Sequence, residues 1–282
     1  MIIVIDALNK DRFADLLDDM YQLRARVFGD RLGWEVDIID GREIDQFDRL
    51  DPAYVIGLDD EGHVVSCVRA LQTTGPHMLS DVFQAILDGE PPLRSATLWE
   101  STRFCVDTQR LCRDGNTMKA VSLATCELMI GSLEFARRSG IADIITVIDP
   151  VIDRVLKRSN NAPYDYVGST KQMGKVPAMA ALLDCSEERI TRVRDFAGIH
   201  HDVFASEDRV RQLLDKRHAE ADRVAIAQAE AEGSSVVSAQ QLMDYCREQL
   251  DAARTDEERA AARRLVAVLL DNTDRPGLRL AV

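Results

Sequence analysis

The stretch LWESTRFCVD, residues 98–107, has the hydrophobic character of a β-strand but carries a glutamate and an arginine. Side chains alternate between the two faces of a strand, so Glu100 and Arg103 should point to opposite sides. A structural ion pair, or two solvent-facing charges, is the ordinary explanation. A β-bulge near Ser101 or Thr102 would instead bring both charges to one face, and bulges are common beside active sites. The segment alone leaves these alternatives open.

The residues before this strand predict a helix, a long loop and a hairpin. Apolar residues spaced by three and four predict an amphipathic helix over 11–28, with Gly29 as its end signal. Residues 29–53 are rich in Gly and Asp and have little periodicity, which indicates a long loop. The β-branched runs 54–58 and 63–71, joined by Asp-Glu-Gly, predict a β-hairpin.

The residues after it continue the alternation of helices and strands. We expect a short helix at 81–87, a long apolar helix from about 118 to 138, a central strand within 141–149, a helix at 150–159 that begins with proline, and a strand at 164–170. This order predicts a three-layer α-β-α sandwich with a mixed central sheet, ending near residue 205.

The composition changes at residue 206. Residues 206–282 are rich in Ala, Glu, Arg, Gln and Leu and predict an α-helical extension, broken at 232–235 and near 255–256. We expect the extension to pack on the core or to pair subunits in a homodimer. The more specific alternative is that the extension is a module that binds a partner protein.

Composition and charge exclude several classes of function. A net charge of −13 over 282 residues argues against nucleic-acid binding, which needs a basic surface. No stretch approaches the roughly 20 apolar residues of a membrane span, and the first residues lack the basic start of an export signal, so a cytoplasmic protein is expected. The six cysteines contain no CxxC spacing, so we expect neither a metal site nor a disulfide framework.

Four fragments combine charged and aromatic residues in a fixed order: LRARVFGDRLGW (23–34), EIDQFD (43–48), VRAL (68–71) and ESTRF (100–104). Each fragment alone has an ordinary explanation as solvated charges or as a strand-edge arginine. As a set they resemble the acyl-homoserine-lactone synthases, the autoinducer synthases of bacterial quorum sensing. The resemblance covers about residues 1–200. The matching positions are Arg24, Phe28, Trp34, Asp45, Asp48, Arg69, Phe83, Glu100 and Arg103.

The resemblance implies a two-part reaction on a fold similar to that of the N-acetyltransferases. The amine of S-adenosylmethionine, a substrate and not a cofactor, attacks an acyl thioester to form an amide. The thioester is carried by acyl carrier protein or, in a minority of members, by coenzyme A. The methionyl carboxylate then displaces methylthioadenosine and closes the lactone ring.

The matching residues suit these substrates chemically. A sulfonium and an ammonium group favour carboxylates and aromatic faces, which Asp45, Asp48, Phe28 and Trp34 supply. The substrate carboxylate needs a cation, for which Arg24 or Arg69 would serve.

Glu100 is the candidate base for the substrate amine, directly or through a water molecule. We expect burial to raise its pKa, and Arg103 to oppose that rise and to hold the carboxylate in place.

The acyl chain should lie against the long apolar helix and the central strand, beside Met118, Leu123, Met129, Ile144 and Thr146. In the resembling family a threonine at the place of Thr146 accompanies a preference for 3-oxo-acyl chains. The hydroxyl of Thr146 can equally form a hydrogen bond with the backbone.

The best local basic patch for docking an acidic carrier protein is formed by Arg154, Lys157 and Arg158, at i, i+3 and i+4 of one helix. A solvated helix face explains these three residues equally well.

Two rival functions use other features. RRSGIA, residues 137–142, matches the pyrophosphate loop of acetyltransferases that use acyl-CoA, but it closes a helix instead of opening one, so we interpret it as a helix C-cap. A catalytically silent interaction protein is the second rival. The intact set Glu100, Asp45, Asp48 and Arg103 argues against it.

Overall fold

The computed structural model describes residues 1–112, 117–174, 176–231 and 239–271, and its contacts divide the chain into two units between Arg211 and Gln212. The first unit begins with β1 (Ile2–Ile5), α1 (Ala14–Arg24), β2 (Ile38–Ile39), β3 (Arg42–Glu43), β4 (Ala53–Leu58), β5 (Val64–Gln72), α2 (Met78–Asp81) and β6 (Leu98–Val106). It continues with α3 (Thr108–Leu111), α4 (Thr117–Arg138), β7 (Asp143–Ile148), α5 (Pro150–Arg158), β8 (Asp165–Met173), β9 (Val176–Asp184) and α6 (Glu187–Ala197). Three helices follow: α7 (Glu207–Ala231), α8 (Ala239–Ala252) and α9 (Asp256–Asp271).

Seven strands form one sheet in the order β1-β4-β5-β6-β7-β9-β8. The pair β6–β7 is parallel and the other neighbouring pairs are antiparallel, so the sheet is mixed. The central position predicted for the strand within 141–149 is confirmed, since β7 lies between β6 and β9. The predicted hairpin is confirmed as β4–β5.

Helices cover both faces of the sheet. Val55, Ile144 and Ile148 pack into one core with residues of α4, α5 and α6. Their strand neighbours point the other way: Tyr54 bonds to Tyr21 of α1, and Ile145 packs with Leu79 of α2. The predicted three-layer α-β-α sandwich is therefore confirmed.

Several local predictions need correction. The first helix consists of a 3-10 turn (Lys10–Phe13), α1 and a π-helix (Ala25–Arg31), so it continues past Gly29. The region expected to be a long loop holds the β2–β3 ribbon and a 3-10 helix (Gln46–Leu50). The short helix expected at 81–87 is α2 followed by a 3-10 helix (Gln84–Leu87).

The ends of two helical regions match their sequence signals. Gly140 adopts a φ of +78° just after α4, so RRSGIA is the helix C-cap that was predicted. In the C-terminal part, the break near 255–256 is confirmed between α8 and α9, whereas the break predicted at 232–235 lies outside the described residues. No helix in the described ranges is long and apolar enough to cross a membrane.

Candidate active site

A β-bulge lies in β6 and decides where its charged residues point. Cys67 of β5 lies opposite Cys105 and Arg69 lies opposite Thr102, so Val68 alone faces both Arg103 and Phe104. Arg103 has a φ of +57°, the left-handed region that non-glycine residues rarely adopt. The predicted bulge is therefore present, but at 103–104 instead of 101–102.

The bulge brings Glu100 and Arg103 to one face of the sheet, where both contact Met78. The backbone N–H of Met78 donates to Glu100 Oε2 at 2.7 Å, and Arg103 Nη1 lies 3.5 Å from Met78 Sδ. A strand of regular alternation would have separated the two side chains.

Three arginines and three carboxylates form a closed ring of ion pairs on this face, here called the charge ring. Each arginine bridges two carboxylates, and each carboxylate bridges two arginines. The nitrogen–oxygen distances around the ring are Arg24–Glu43 2.5 Å, Glu43–Arg103 2.8 Å, Arg103–Asp45 2.8 Å, Asp45–Arg69 2.6 Å, Arg69–Asp48 2.8 Å and Asp48–Arg24 2.8 Å.

The charge ring balances its own charge, which burial requires because an unpaired buried ion is costly. The side chains of Arg24, Glu43 and Arg69 are fully buried, whereas Asp45 is 15% exposed and Arg103 10% exposed. The ring therefore opens toward its surroundings at Asp45 and Arg103.

The local fold of residues 43–48 presents the carboxylates. Asp45 caps the 3-10 helix by accepting from the Phe47 N–H at 2.8 Å, and Asp48 accepts from the Asp45 N–H at 2.8 Å. Burial alone would raise the pKa of Asp48, but the hydrogen bonds and charges of Arg24 and Arg69 outweigh it and hold that pKa well below its usual range. Asp48 is thus an anion throughout the physiological pH range.

The charge ring and its contacts correct one expectation and add two residues to the site. The side chains of Arg24 and Arg69 are fully buried in ion pairs with protein carboxylates, whereas that of Arg103 is partly exposed, so the structure offers neither Arg24 nor Arg69 to a substrate carboxylate. Glu43 was missed, although it stands in the fragment EIDQFD. Tyr54, whose hydroxyl donates to Asp48 at 2.7 Å, had no signal beyond its place in the hairpin.

Glu100 is fully buried behind the first turn of α2. Its carboxylate accepts from the backbone N–H groups of Met78 at 2.7 Å and Leu79 at 2.6 Å. Burial raises the pKa of Glu100 to about 7, although these two N–H groups and the charge of Arg69 act to lower it. A rise in the pKa of Glu100 through burial was predicted from the sequence. The expected role of Arg103 was wrong, because Arg103 pairs with Glu43 and Asp45 while the backbone of α2 orients Glu100.

A cavity of about 950 Å³ lies beside the charge ring, where β6 and β7 separate. The parallel pairing of these strands runs from Leu98–Asp143 to Ser101–Thr146, and beyond it both strands contribute to the cavity wall. The wall includes Glu43, Asp45 and Arg103 of the ring together with Met78, whereas Glu100 lies outside it. The cavity extends from the α1–α2 face to residues of α4 and α5 on the other face.

Aromatic residues line the cavity near the charge ring. Phe28, in the π-helix, and Trp34 stack with ring centroids 5.2 Å apart and planes at 27°. The guanidinium of Arg103 lies 5.5 Å from the Phe28 ring centroid, and Trp34 is 39% exposed. Phe83 lines the cavity from the segment after α2. The cavity thus offers aromatic faces beside a carboxylate and a guanidinium.

Known proteins resemble this chain in sequence and in fold. The family model described as autoinducer synthase matches residues 8–193. The chain belongs to the autoinducer synthase family.

Relatives in this family share most of their length with the chain. An acyl-homoserine-lactone synthase of Agrobacterium fabrum (strain C58) is 35% identical over 192 residues, which are 68% of this chain and 90% of that protein. A probable acyl-homoserine-lactone synthase of Sinorhizobium fredii is 34% identical over 181 residues, 64% of this chain and 86% of that protein. The chain is therefore an acyltransferase of autoinducer synthesis.

Solved structures of autoinducer synthases have the same fold. The CoA-dependent acyl-homoserine lactone synthase MesI superposes with a TM-score of 0.62 at 26% identity, covering 73% of this chain and all of that one. BjaI, solved with SAM and isopentyl-CoA and also described as CoA-dependent, gives a TM-score of 0.63 at 26% identity, covering 76% of this chain and 98% of that one.

The far part of the cavity has the residues expected beside an acyl chain in an autoinducer synthase. Met129, Ile144 and Thr146 line it, and Thr146 shares a strand face with Ile144 and Ile148 toward α4 and α5. Leu123 is 47% exposed and lies outside the cavity wall, so that expectation was wrong. The side chain of Met118 lies outside the described part of the chain.

The basic residues proposed for docking lie on the outer side of α5. Arg154, Lys157 and Arg158 are exposed, and Lys157 pairs with Asp153 at 2.7 Å. The inner side of the same helix, including Ile152 and Val155, lines the cavity. The patch is therefore adjacent to the part of the cavity that α4 and α5 line.

Proposed function

We propose that the chain makes an N-acyl-homoserine lactone from S-adenosylmethionine and an acyl thioester, with release of methylthioadenosine. The observation that carries this proposal is the opening of the charge ring, through Asp45 and Arg103, onto a cavity that also holds the Phe28–Trp34 stack. A cationic sulfonium substrate needs this combination of anion and aromatic faces.

The charged end of the cavity is the proposed site of S-adenosylmethionine. Its ammonium and sulfonium groups would lie near Asp45 and the faces of Phe28 and Trp34. Its carboxylate would meet Arg103, the guanidinium of the charge ring that reaches the cavity. Glu43 lines the cavity beside Arg103, and Arg24, Arg69 and Asp48 then hold these contact groups in place from behind.

The first step is amide formation. The substrate nitrogen attacks the thioester carbonyl carbon, the C–S bond of the thioester breaks, and the leaving thiolate takes up the second proton that the nitrogen gives up, while the third stays on the amide. The nitrogen must first lose a proton, and Glu100 is the proposed acceptor. Its pKa of about 7 suits a base that works near neutral pH. Because Glu100 lies behind Met78, the proton would travel through a water molecule.

The second step is ring closure. An oxygen of the substrate carboxylate attacks the γ-carbon of the methionyl chain. The bond from that carbon to the sulfonium sulfur breaks, and neutral methylthioadenosine leaves. Arg103 would hold the carboxylate during this step, and Asp45 would hold Arg103.

The acyl thioester is proposed to enter from the α4–α5 side, with its chain against Met129 and Thr146. Acyl carrier protein is the proposed donor, because the basic patch of Arg154, Lys157 and Arg158 lies on the helix that walls this part of the cavity. Two structural relatives are described as CoA-dependent, so coenzyme A is the donor to test against it. Thr146 supports a preference for 3-oxo-acyl chains, whose extra carbonyl would accept from its hydroxyl.

The test is a reaction of the purified full chain with S-adenosylmethionine and a panel of acyl thioesters. The panel presents each acyl chain, saturated and 3-oxo, on both acyl carrier protein and coenzyme A. Mass spectrometry detects the lactone, and chromatography quantifies methylthioadenosine. Equal amounts of the two products support the proposal. An acylated product without methylthioadenosine would indicate a plain acyltransferase, and no product from any donor would contradict the proposal.

Extracts of bacteria that express the chain give a second readout. A homoserine lactone that is present with the wild type and absent with the Glu100→Gln variant would link the product to this site. The chain length and oxidation state of that lactone would also identify the preferred donor.

A further inference from the structure

The cavity wall on the α4–α5 face includes a buried amide, Asn161. This residue follows α5, is 2% exposed, and has its backbone N–H bonded to the carbonyl of Leu156 at 2.9 Å. Apolar residues of one core cluster line the same cavity, among them Ile148, Ile152, Val155, Leu156 and Leu183. A polar side chain in such surroundings is costly unless its donors and acceptors are paired.

Arg189 pairs one half of this amide and fixes its orientation. The Arg189 side chain is buried, and its Nη1 donates to Asn161 Oδ1 at 3.1 Å and to the carbonyl of Ala162 at 2.7 Å. Asp184 holds Arg189 by accepting from its Nη2 at 2.7 Å. A guanidinium only donates, so the atom that faces Arg189 must be the amide oxygen. The NH₂ group is the half left for the cavity.

We propose that Asn161 is a binding site for an oxygen atom on the acyl chain, remote from the thioester. A hydrocarbon chain alone would leave the NH₂ donors facing methylene groups. A hydroxyl, ether or keto oxygen would accept from them. The proposal rests on the function proposed above, and it extends that function to acyl donors oxygenated beyond the 3-position.

Asn161 and the residue of the proposed 3-oxo contact, Thr146, belong to different elements of the cavity wall. Thr146 belongs to β7 and lies where that strand pairs with Ser101 beside the bulge, whereas Asn161 lies beyond α5 and is held by α6. A donor could therefore carry oxygen at either position or at both.

The experiment compares acyl thioesters of equal chain length that differ by one oxygen. Hydroxyl groups are placed at successive carbons from the fifth to the last, with the unsubstituted chain as internal reference. The kcat/KM for lactone formation is measured by mass spectrometry. We expect at least one hydroxylated donor to exceed the unsubstituted donor by about ten-fold, since a site built to bind an oxygen discriminates against a chain that lacks it.

Two variants separate the hydrogen bond from packing. Asn161→Asp keeps the size of the side chain and an oxygen for Arg189 but removes the NH₂ donors, and Asn161→Leu removes both polar halves. We expect both variants to lose the ten-fold preference, with thermal unfolding of each followed in parallel.

The outcomes distinguish this proposal from the function on which it rests. Lactone formation without preference for any hydroxylated donor, or a preference that Asn161→Asp retains, would overturn the role of Asn161 alone. No lactone from any donor, the unsubstituted ones included, would overturn the proposed function and this subsite with it.

Discussion

The two ends of the cavity are built by different physical means. At the charged end, three arginines and three carboxylates fix one another by ion pairs from 2.5 to 2.8 Å, and three of these six side chains are fully buried. At the acyl end, apolar side chains such as Met129 and Ile152 form the wall by packing. Directional ion pairs permit one geometry, whereas apolar packing tolerates exchanges of similar volume.

This difference indicates where variation can occur. A change at the charged end leaves an uncompensated charge in the ring and affects the whole site. A change at the acyl end alters the shape or one hydrogen bond of the cavity, and so affects the choice of donor. Variants at the charged end should therefore lose activity or stability, whereas variants at the acyl end should change the choice of donor by smaller factors.

Glu100→Gln should lower kcat by a factor on the order of 10² to 10⁴, the usual contribution of a general base. The variant keeps the size of the side chain but cannot accept the substrate proton. Steady-state kinetics with saturating substrates would measure the loss. A kcat within a few-fold of the wild type would remove Glu100 from the mechanism and leave it with a structural role.

Glu43→Gln should lower the free energy of unfolding by about 3–5 kcal/mol, because it leaves Arg24 and Arg103 short of one buried negative charge. Denaturant unfolding followed by tryptophan fluorescence reports on this region, since both tryptophans, Trp34 and Trp99, lie in the first unit.

The matched control for this change is Glu187→Gln, which breaks an exposed ion pair with Arg137. It should cost less than about 1 kcal/mol. Equal losses in the two variants would contradict the structural importance of the charge ring.

The pH dependence of stability should report the raised pKa of Glu100. Below about pH 4.5 the carboxyl is protonated in both the folded and the unfolded chain. Between 4.5 and about 7 only the unfolded chain ionises, so stability falls as pH rises, and above about 7 the loss levels off.

Relative to Glu100→Gln, the wild type should therefore lose about 2 kcal/mol of stability between pH 5.5 and pH 8. Denaturant unfolding of both proteins at the two pH values measures this difference. A constant difference would contradict the assigned pKa.

Thr146→Val should have a smaller effect, confined to donor choice. It removes a hydroxyl while keeping the shape, so the ratio of kcat/KM for 3-oxo over unsubstituted donors should fall by about two- to ten-fold, the value of one hydrogen bond. Competition between the two donors in one reaction gives the ratio directly. An unchanged ratio would show that the Thr146 hydroxyl has no part in recognising the oxo group.

The fold class was predictable because hydrophobic periodicity and turn residues agree over most of the first unit. β1, β9 and α6 were not predicted. The run VPAMAALLD, which forms β9, is rich in alanine and fits a buried helix as well as a strand. The extension of the first helix past Gly29 depends on a π-helix, for which the sequence carries no recognised signal.

The site was predictable as a set of residues but not as a geometry. Arg24, Asp45, Asp48, Arg69 and Arg103 were named together, and the structure joins them in the charge ring. Their pairing depends on the positive φ of Arg103 and on the cap formed by Asp45, neither of which periodicity reveals. Counting charges could have found Glu43, since the three arginines of the charge ring need three carboxylates.

The division of the cavity into a charged and an acyl end is tested most directly by the KM values of Trp34→Ala and Thr146→Val for both substrates. Trp34→Ala should raise the KM for S-adenosylmethionine by roughly ten-fold, as expected for loss of a cation–π contact, and leave the KM for the acyl donor within about two-fold. Thr146→Val should raise the KM for a 3-oxo donor and leave the KM for S-adenosylmethionine within about two-fold. If Trp34→Ala instead raised the KM for the acyl donor alone, the assignment of the two ends would be contradicted.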